Sequence, residues 1–241
     1  MRVAALLAWL MIAAPLHLLT KGMTGRSDWP RRFLAVAADL IGAQVRVSGA
    51  PLRPHSLLIA NHVSWLDILA LGGATGTVFV SKDQLGPGFV HWLADQNRTI
   101  YVRREDRRDS KAQAVAIATA LESEQAVALF PEGTVGPGDA LLPFRSTLVE
   151  AATYAGKDVE IRPVALDYGP DASAIAWFGE PALTNARRVL GRWQPVDIHI
   201  RLLEPLSDDG GRKVIAARAR AAITDALGFA DASPSPIGAG K

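Results

Sequence analysis

The chain contains no cysteine among its 241 residues. Disulfides and thiol nucleophiles are therefore excluded, and the compartment is left open. A strong excess of one charge is also missing. Lys and Arg number 26 against 24 Asp and Glu, a formal net charge of +2. This balance carries no global nucleic-acid signature. There is no P-loop or zinc-finger spacing, and His17, His55, His91 and His199 stand at no metal-ligand spacing. No metal and no cofactor are assigned. A Gly-x-Ser-x-Gly elbow is lacking as well, so no serine nucleophile is marked. The length suits one domain of ordinary to large size with an ample core.

The N-terminus is rich in apolar residues. Val3 to Leu19 is almost entirely apolar, interrupted by Pro15 and His17. As a helix this run is about 26 Å long, short of the roughly 30 Å hydrocarbon core of a bilayer. Lys21, Arg26, Arg31 and Arg32 follow it, a basic flank from which the rest of the chain is expected on the cytoplasmic side of a membrane. A cleaved signal peptide is the rival reading. Arg2 gives it only a thin basic start, and Ala13-Ala14-Pro15 is a poor cleavage site because proline follows directly. A second helix is expected over Trp29 to Ile41, with Asp28 as N-cap. Phe33, Val36, Ala37, Leu40 and Ile41 share one of its faces. The pattern allows two readings: a shallow hairpin in the membrane interface, or a helix packed on the domain core.

From Gln44 onward strand-like and helix-like segments alternate. Strands are expected at Val45–Val47, Leu57–Ala60, Thr77–Val80, Thr99–Val102, Ala126–Phe130, Val159–Leu166, Ala174–Phe178 and Val196–Leu203. Helices are expected at Trp65–Leu71, Gly88–Ala94, Ser110–Ser123, Ser146–Tyr154, Ala186–Leu190 and Lys213–Leu227. The alternation predicts an α/β fold: a mixed, mainly parallel sheet flanked by helices, preceded by an N-terminal two-helix membrane-associated segment. The expected units are residues 1–42 (membrane-associated), 43–228 (catalytic domain) and 229–241. The last is a small, polar, proline-containing tail expected to be disordered.

Two strand ends carry the chemistry. Leu57 to Ala60 runs into Asn61-His62-Val63-Ser64-Trp65-Leu66-Asp67. A histidine at a strand end with a carboxylate one helical turn beyond can act as a base and its orienter, taking a proton from a hydroxyl. Asp67 would fix the imidazole tautomer and stabilise the imidazolium. The same spacing is a capping box, with Ser64 as N-cap and Asp67 at the third helical position. The two roles are compatible, with one oxygen capping the helix and the other facing His62. Asn61 is expected to shape the turn. Ala126 to Phe130 ends in Pro131-Glu132-Gly133-Thr134. Gly133 permits close backbone approach or positive φ, and backbone N–H groups here can meet an acceptor or a developing oxyanion. Glu132 can orient an acceptor, or Pro-Glu-Gly can be a simple turn. Gly136 to Asp139 extends the loop as a candidate lid. The densest basic cluster is Arg98, Arg103, Arg104, Arg107 and Arg108, interleaved with acids in the manner of a solvated turn.

Asn61-His62 with Asp67, and Phe130-Pro131-Glu132-Gly133-Thr134, together resemble two blocks of the glycerolipid acyltransferase family, the 1-acyl-sn-glycerol-3-phosphate acyltransferase or PlsC-like type. Phe79-Val80-Ser81-Lys82 with Ile100-Tyr101-Val102-Arg103 resembles the block between them. Ile161-Arg162-Pro163-Val164-Ala165 resembles the later proline block. The resemblance spans roughly residues 45 to 205. It departs in one place: the usual Glu-Gly-Thr-Arg-Ser is here Glu-Gly-Thr-Val135-Gly136. In the family that arginine is linked to the acceptor's phosphate. The continuation Leu142-Pro143-Phe144-Arg145-Ser146-Thr147-Leu148 resembles a subgroup that includes lyso-ornithine lipid acyltransferases, and Arg145 can supply the missing charge.

The resemblance implies a cytoplasm-facing, inner-membrane O-acyltransferase. It would move a fatty acyl group from acyl-CoA or acyl carrier protein to a lysolipid hydroxyl, with lysophosphatidic acid or lyso-ornithine lipid as acceptor. His62 and Asp67 are the implied catalytic residues. Glu132, Gly133, Thr134, Arg103 and Arg145 are the implied substrate-binding residues. Direct attack without an acyl-enzyme is expected. The alternatives are a non-catalytic lipid-binding protein of the same fold and a lipid hydrolase using His62 to activate water.

Overall fold

A computed structural model of the chain describes residues 1–82, 88–102, 109–122, 126–150 and 159–229. Helix α1 (Arg2–Thr24) and helix α2 (Trp29–Ile41) precede strands β1 (Ala43–Ser48) and β2 (Ser56–Ala60). Helix α3 (Leu66–Thr75), β3 (Val78–Lys82), α4 (Phe89–Gln96), β4 (Ile100–Val102), α5 (Asp109–Glu122) and β5 (Val127–Leu129) follow. The chain then passes through α6 (Ser146–Val149), β6 (Glu160–Asp167), two short helices Ala172–Ile175 and Ala182–Leu190, β7 (Val196–Leu202) and a C-terminal helix, Gly211–Leu227.

The described strands form one sheet of seven in the order β1-β7-β6-β2-β5-β3-β4. β6, β2, β5, β3 and β4 are mutually parallel. β7 runs antiparallel to β6 and carries β1 parallel to itself. The sheet is thus mixed and mainly parallel. β2 is buried along its whole length, and its side chains alternate between two cores. Leu58 and Ala60 join the cluster under α2 and α3, and Leu57 and Ile59 the cluster under α5 and the C-terminal helix. A central parallel strand covered on both faces must read as a continuous apolar run, which is why Leu57 to Ala60 shows no polar alternation.

The stretch Ala174–Phe178 does not form the expected strand. It begins inside the helix Ala172–Ile175 and then runs extended. The Trp177 N–H donates to the Val63 carbonyl at 2.9 Å, outside the sheet. The Asn185 side chain donates to the Ala176 carbonyl at 3.0 Å, taking up an acceptor that a ladder would need. A short apolar run does not by itself distinguish a strand from a buried helix end. The expected helices at Ser110–Ser123 and Ser146–Tyr154 are described to Glu122 and Val149, and Ser123 and Tyr154 lie outside the described residues, as does the tail from Ala230.

Helix α2 packs on the domain core. Leu34, Ala37, Ala38 and Ile41 are buried. A Cβ built on Gly73 of α3 would stand 2.6 Å from the Ala35 nitrogen, so α2 and α3 touch backbone to backbone. Helix α1 is longer than the apolar run it contains. Its 23 residues span about 34 Å, and it is long and apolar enough to cross a membrane by length and composition alone. One side leans on α2, where Trp9 and Trp29 meet at 6.1 Å between ring centroids. The His17 ring hydrogen-bonds Ser27 Oγ at 2.9 Å and Gln96 Oε1 at 3.2 Å, so the polar ring within the apolar run turns inward. Leu7, Met11, Ile12, Leu18, Leu19 and Met23 are left exposed.

Gly73→Ala is expected to destabilise the fold by about 1–3 kcal/mol, the usual cost of overpacking a close helix contact. Urea denaturation followed by far-UV circular dichroism measures this. An unchanged midpoint would mean that α2 and α3 are not held at this separation.

Candidate active site

Ligand crevices of open α/β sheets form beyond the carboxyl ends of the strands. Here three neighbouring parallel strands, β6, β2 and β5, each deliver part of one site. β2 ends at Ala60 and hands on Asn61 and His62. The Asn61 side chain continues the β2–β6 ladder by one step: its Nδ2 donates to the Leu166 carbonyl at 3.0 Å, and its Oδ1 accepts from the Leu166 N–H at 2.8 Å. Asn61 therefore locks the two strand ends together, which is more than shaping a turn.

His62 and Asp67 come together as the spacing predicts. Asp67 lies in the first turn of α3 with its side chain fully buried. Its Oδ2 is 2.8 Å from His62 Nδ1. The same oxygen accepts the N–H of Val63 at 2.7 Å and of Ser64 at 3.0 Å. The expected capping box does not form: α3 is capped at Trp65, Ser64 Oγ accepts from the Leu66 N–H at 3.4 Å, and the Asp67 N–H donates to the Ser64 carbonyl at 3.1 Å. A single Asp67 oxygen both holds the two loop amides and faces His62, where one oxygen for each was expected. The other, Oδ1, receives the hydroxyl of Tyr168 at 2.5 Å. Tyr168 stands one residue past β6 and is 2 % exposed. Burial pushes its phenol well above the usual range, and the Asp67 charge adds to this, so it remains a neutral donor.

The imidazole is held on a second side. Its ring stacks on Phe130 at 4.2 Å between centroids and 17° between planes, and Phe130 stacks on Phe79. With Nδ1 on Asp67, Nε2 has no hydrogen-bond partner among the described residues. The side chain is 19 % exposed. A ring fixed in this way presents one nitrogen, with tautomer and direction both set, to whatever enters the crevice.

Glu132 follows Phe130 by two residues, 2 % exposed. Its Oε1 accepts the His62 N–H at 2.8 Å and its Oε2 the Leu142 N–H at 2.9 Å. The carboxylate is therefore a clamp between the β2 and β5 loops. Burial pushes it up to about 7, against the two amides and His62, which favour its charge. The clamp also accounts for one of the departures from the family pattern. The Gly136 N–H donates to the His62 carbonyl at 2.6 Å, and a Cβ there would lie 2.9 Å from Glu132 Oε2. Gly136 is thus packed against the site, not part of a free lid. Gly133 has φ 72° and its N–H donates to the Phe130 carbonyl at 3.0 Å, closing the turn. Thr134 is exposed beside it. Arg145 is exposed, with its own N–H on the Pro131 carbonyl at 2.8 Å, which fixes its backbone to the same loop. Arg103, with Arg104, Arg107 and Arg108, lies outside the described residues.

The reading of the sequence missed Tyr168 and Trp65. Trp65 Nε1 donates to Asn185 Oδ1 at 2.9 Å and anchors the start of α3. The signal available for Tyr168 was positional: a tyrosine immediately after a buried parallel strand that neighbours the strand carrying His62.

The clamp makes stability depend on pH. The Glu132 carboxyl binds its proton more tightly in the folded chain, at about 7, than at its ordinary value of 4.5. Its contribution is complete below pH 4.5 and is lost as pH rises through 7. Relative to Glu132→Gln, the wild type should lose on the order of 2–3 kcal/mol between pH 4.5 and 8. Paired urea titrations across that range measure the difference. A constant gap would sink the assignment of a raised carboxyl.

The family model described as Acyltransferase matches residues 44–167. The lyso-ornithine lipid O-acyltransferase of Rhodobacter capsulatus is 31% identical over 92% of this chain and 83% of its own length. That of Pseudomonas aeruginosa is 35% identical over 87% and 82%. The 1-acyl-sn-glycerol-3-phosphate acyltransferase of Neisseria gonorrhoeae is 37% identical over 56% and 52%. Among solved structures, the 1-acyl-sn-glycerophosphate (LPA) acyltransferase PlsC from Thermotoga maritima superposes with a TM-score of 0.62 at 20% identity, over 94% of this chain and 98% of that one. At that identity the superposition establishes a shared fold. With the domain match spanning all three strand ends of the site, the chain belongs to the acyltransferase family.

Proposed function

We propose that the protein acylates the hydroxyl of a lysolipid, taking the acyl group from a thioester donor, acyl-CoA or acyl carrier protein. The observation that carries the mechanism is the oriented imidazole: Nδ1 held by a fully buried Asp67, with Nε2 left open at the sheet edge. In this reading His62 Nε2 takes the acceptor's proton as the oxygen attacks the thioester carbonyl. The tetrahedral intermediate then expels the thiolate, which receives that proton from the imidazolium. The C–O bond forms, the C–S bond breaks, and the histidine is restored. Gly133 and Gly136 have already committed their N–H groups. The amides of Thr134 and Val135 have no partner among the described residues, and they are the donors this loop has left for a developing oxyanion.

For the acceptor we favour lyso-ornithine lipid over lysophosphatidic acid. The Rhodobacter capsulatus and Pseudomonas aeruginosa relatives with that name align over more than four-fifths of both chains, whereas the glycerophosphate-acylating relative from Neisseria gonorrhoeae aligns over about half. Val135 replaces the arginine linked to phosphate. Arg145, exposed and fixed through its backbone to Pro131, offers a single cation, which suits one carboxylate. The reaction would be the second acylation of a two-chain membrane lipid. The outward apolar side of α1 suits docking in a bilayer interface, with the basic residues after it keeping the domain cytoplasmic. The inward bonds of His17 favour a helix lying along the domain over one crossing the bilayer.

Thioester consumption with products identified by mass spectrometry tests the chemistry. In lipid micelles a two-chain product is expected, with lyso-ornithine lipid preferred. His62→Ala should lower its rate by about 10²–10⁴, and Arg145→Ala should raise KM for the acceptor about tenfold with little change in kcat. Free fatty acid as the main product would identify a hydrolase instead. The docking reading has its own check, vesicle flotation of a Met11→Glu/Leu18→Glu variant. Undiminished flotation would remove α1 from the membrane contact.

A further inference from the structure

We infer that Tyr168 is a positioning residue of this site, acting on His62 through Asp67. This inference rests on the catalytic reading of His62 and Asp67 given above. Asp67 Oδ2 is saturated by three donors: His62 Nδ1, Val63 N and Ser64 N. Oδ1 has one, the Tyr168 hydroxyl at 2.5 Å. Both groups are shut away from water, Asp67 completely and Tyr168 to 2 %, so no solvent molecule can replace the phenol by simple approach. A buried carboxylate oxygen without a donor is costly. Tyr168 therefore satisfies the second oxygen and fixes the rotation that turns Oδ2 toward the imidazole.

The source of the donor matters. Val63 and Ser64 belong to the same loop as His62 and move with it, whereas Tyr168 comes from β6. Asn61 joins that strand's Leu166 to the β2 end on both sides of its amide, so the phenol two residues on is held at a fixed height against α3. The phenol is thus the side-chain donor that references the His62–Asp67 pair to a different strand. Without it, Oδ1 has no donor, the carboxyl can turn, and the imidazole loses the fixed direction that Oδ2 gives it.

Tyr168→Phe retains the ring in the core and removes only the donor. We expect kcat to fall about 10- to 100-fold with acceptor KM changed less than twofold. In an Asp67→Asn background, where no charged oxygen remains to be held, Tyr168→Phe should cost less than threefold, because groups acting as one unit are not additive. Losses that multiply in the double variant, or a single variant whose kcat matches wild type, would overturn the proposal and leave Tyr168 as core packing. Full activity in Asp67→Asn alone would instead overturn the catalytic reading on which it rests.

Discussion

The site is organised around one buried carboxylate. Asp67 collects four donors on two oxygens. A charge taken wholly out of water is tolerated only when it is surrounded by donors in this way. Satisfying it fixes the position of much else: the loop after β2 has to curl so that two consecutive amides face the helix, α3 has to start where it does, and β6 has to end beside β2. The histidine is oriented as one consequence of that arrangement. A second carboxylate, Glu132, closes the opposite side by joining the same loop to the one after β5. His62 is thus held through its ring on one side and through its own amide on the other.

The two acids are held differently. Asp67 meets a phenol, a histidine and two amides. Glu132 meets two backbone amides, and burial outweighs them in raising its carboxyl. In this structure both of its oxygens are occupied within the protein, so a role in orienting an acceptor through direct hydrogen bonds has less to draw on than the pattern of the sequence suggested. The clamp is a job for which a glutamate at that point of the turn is long enough and an aspartate is one carbon short.

Most of the architecture could be read from the chain because parallel central strands carry a strong signature. Leu57–Ala60 and Ala126–Phe130 are uninterrupted apolar runs followed at once by polar residues, and local sequence is enough to place such strand ends. The pairing of His62 with Asp67 was equally local, five residues on one strand-to-helix turn. Tyr168 was harder to read for the opposite reason: its partner lies 101 residues earlier, and only its place just past a buried strand sets it apart from core. Ala174–Phe178 misled because Ile175 and Ala176 bury in the core beside Val63 without joining the sheet. The helix α2 was ambiguous since an apolar face can meet lipid or protein, and the glycine at 73, which lets it settle on α3, is outside its own segment.

The inward turn of His17 fixes the attitude of the whole molecule. A uniformly apolar helix resting on a domain can roll about its axis with little penalty, but a ring bonded to Ser27 on one nitrogen and Gln96 on the other works as a key in a slot. It sets which flank of α1 faces outward and ties the opposite flank to α4, and through Asp95 and Tyr101 to the sheet. Any surface that receives the exposed side of α1 then meets the sheet at one inclination. The height of the His62 ring above that surface is then a property of the fold, in the way a plane iron is set in its block.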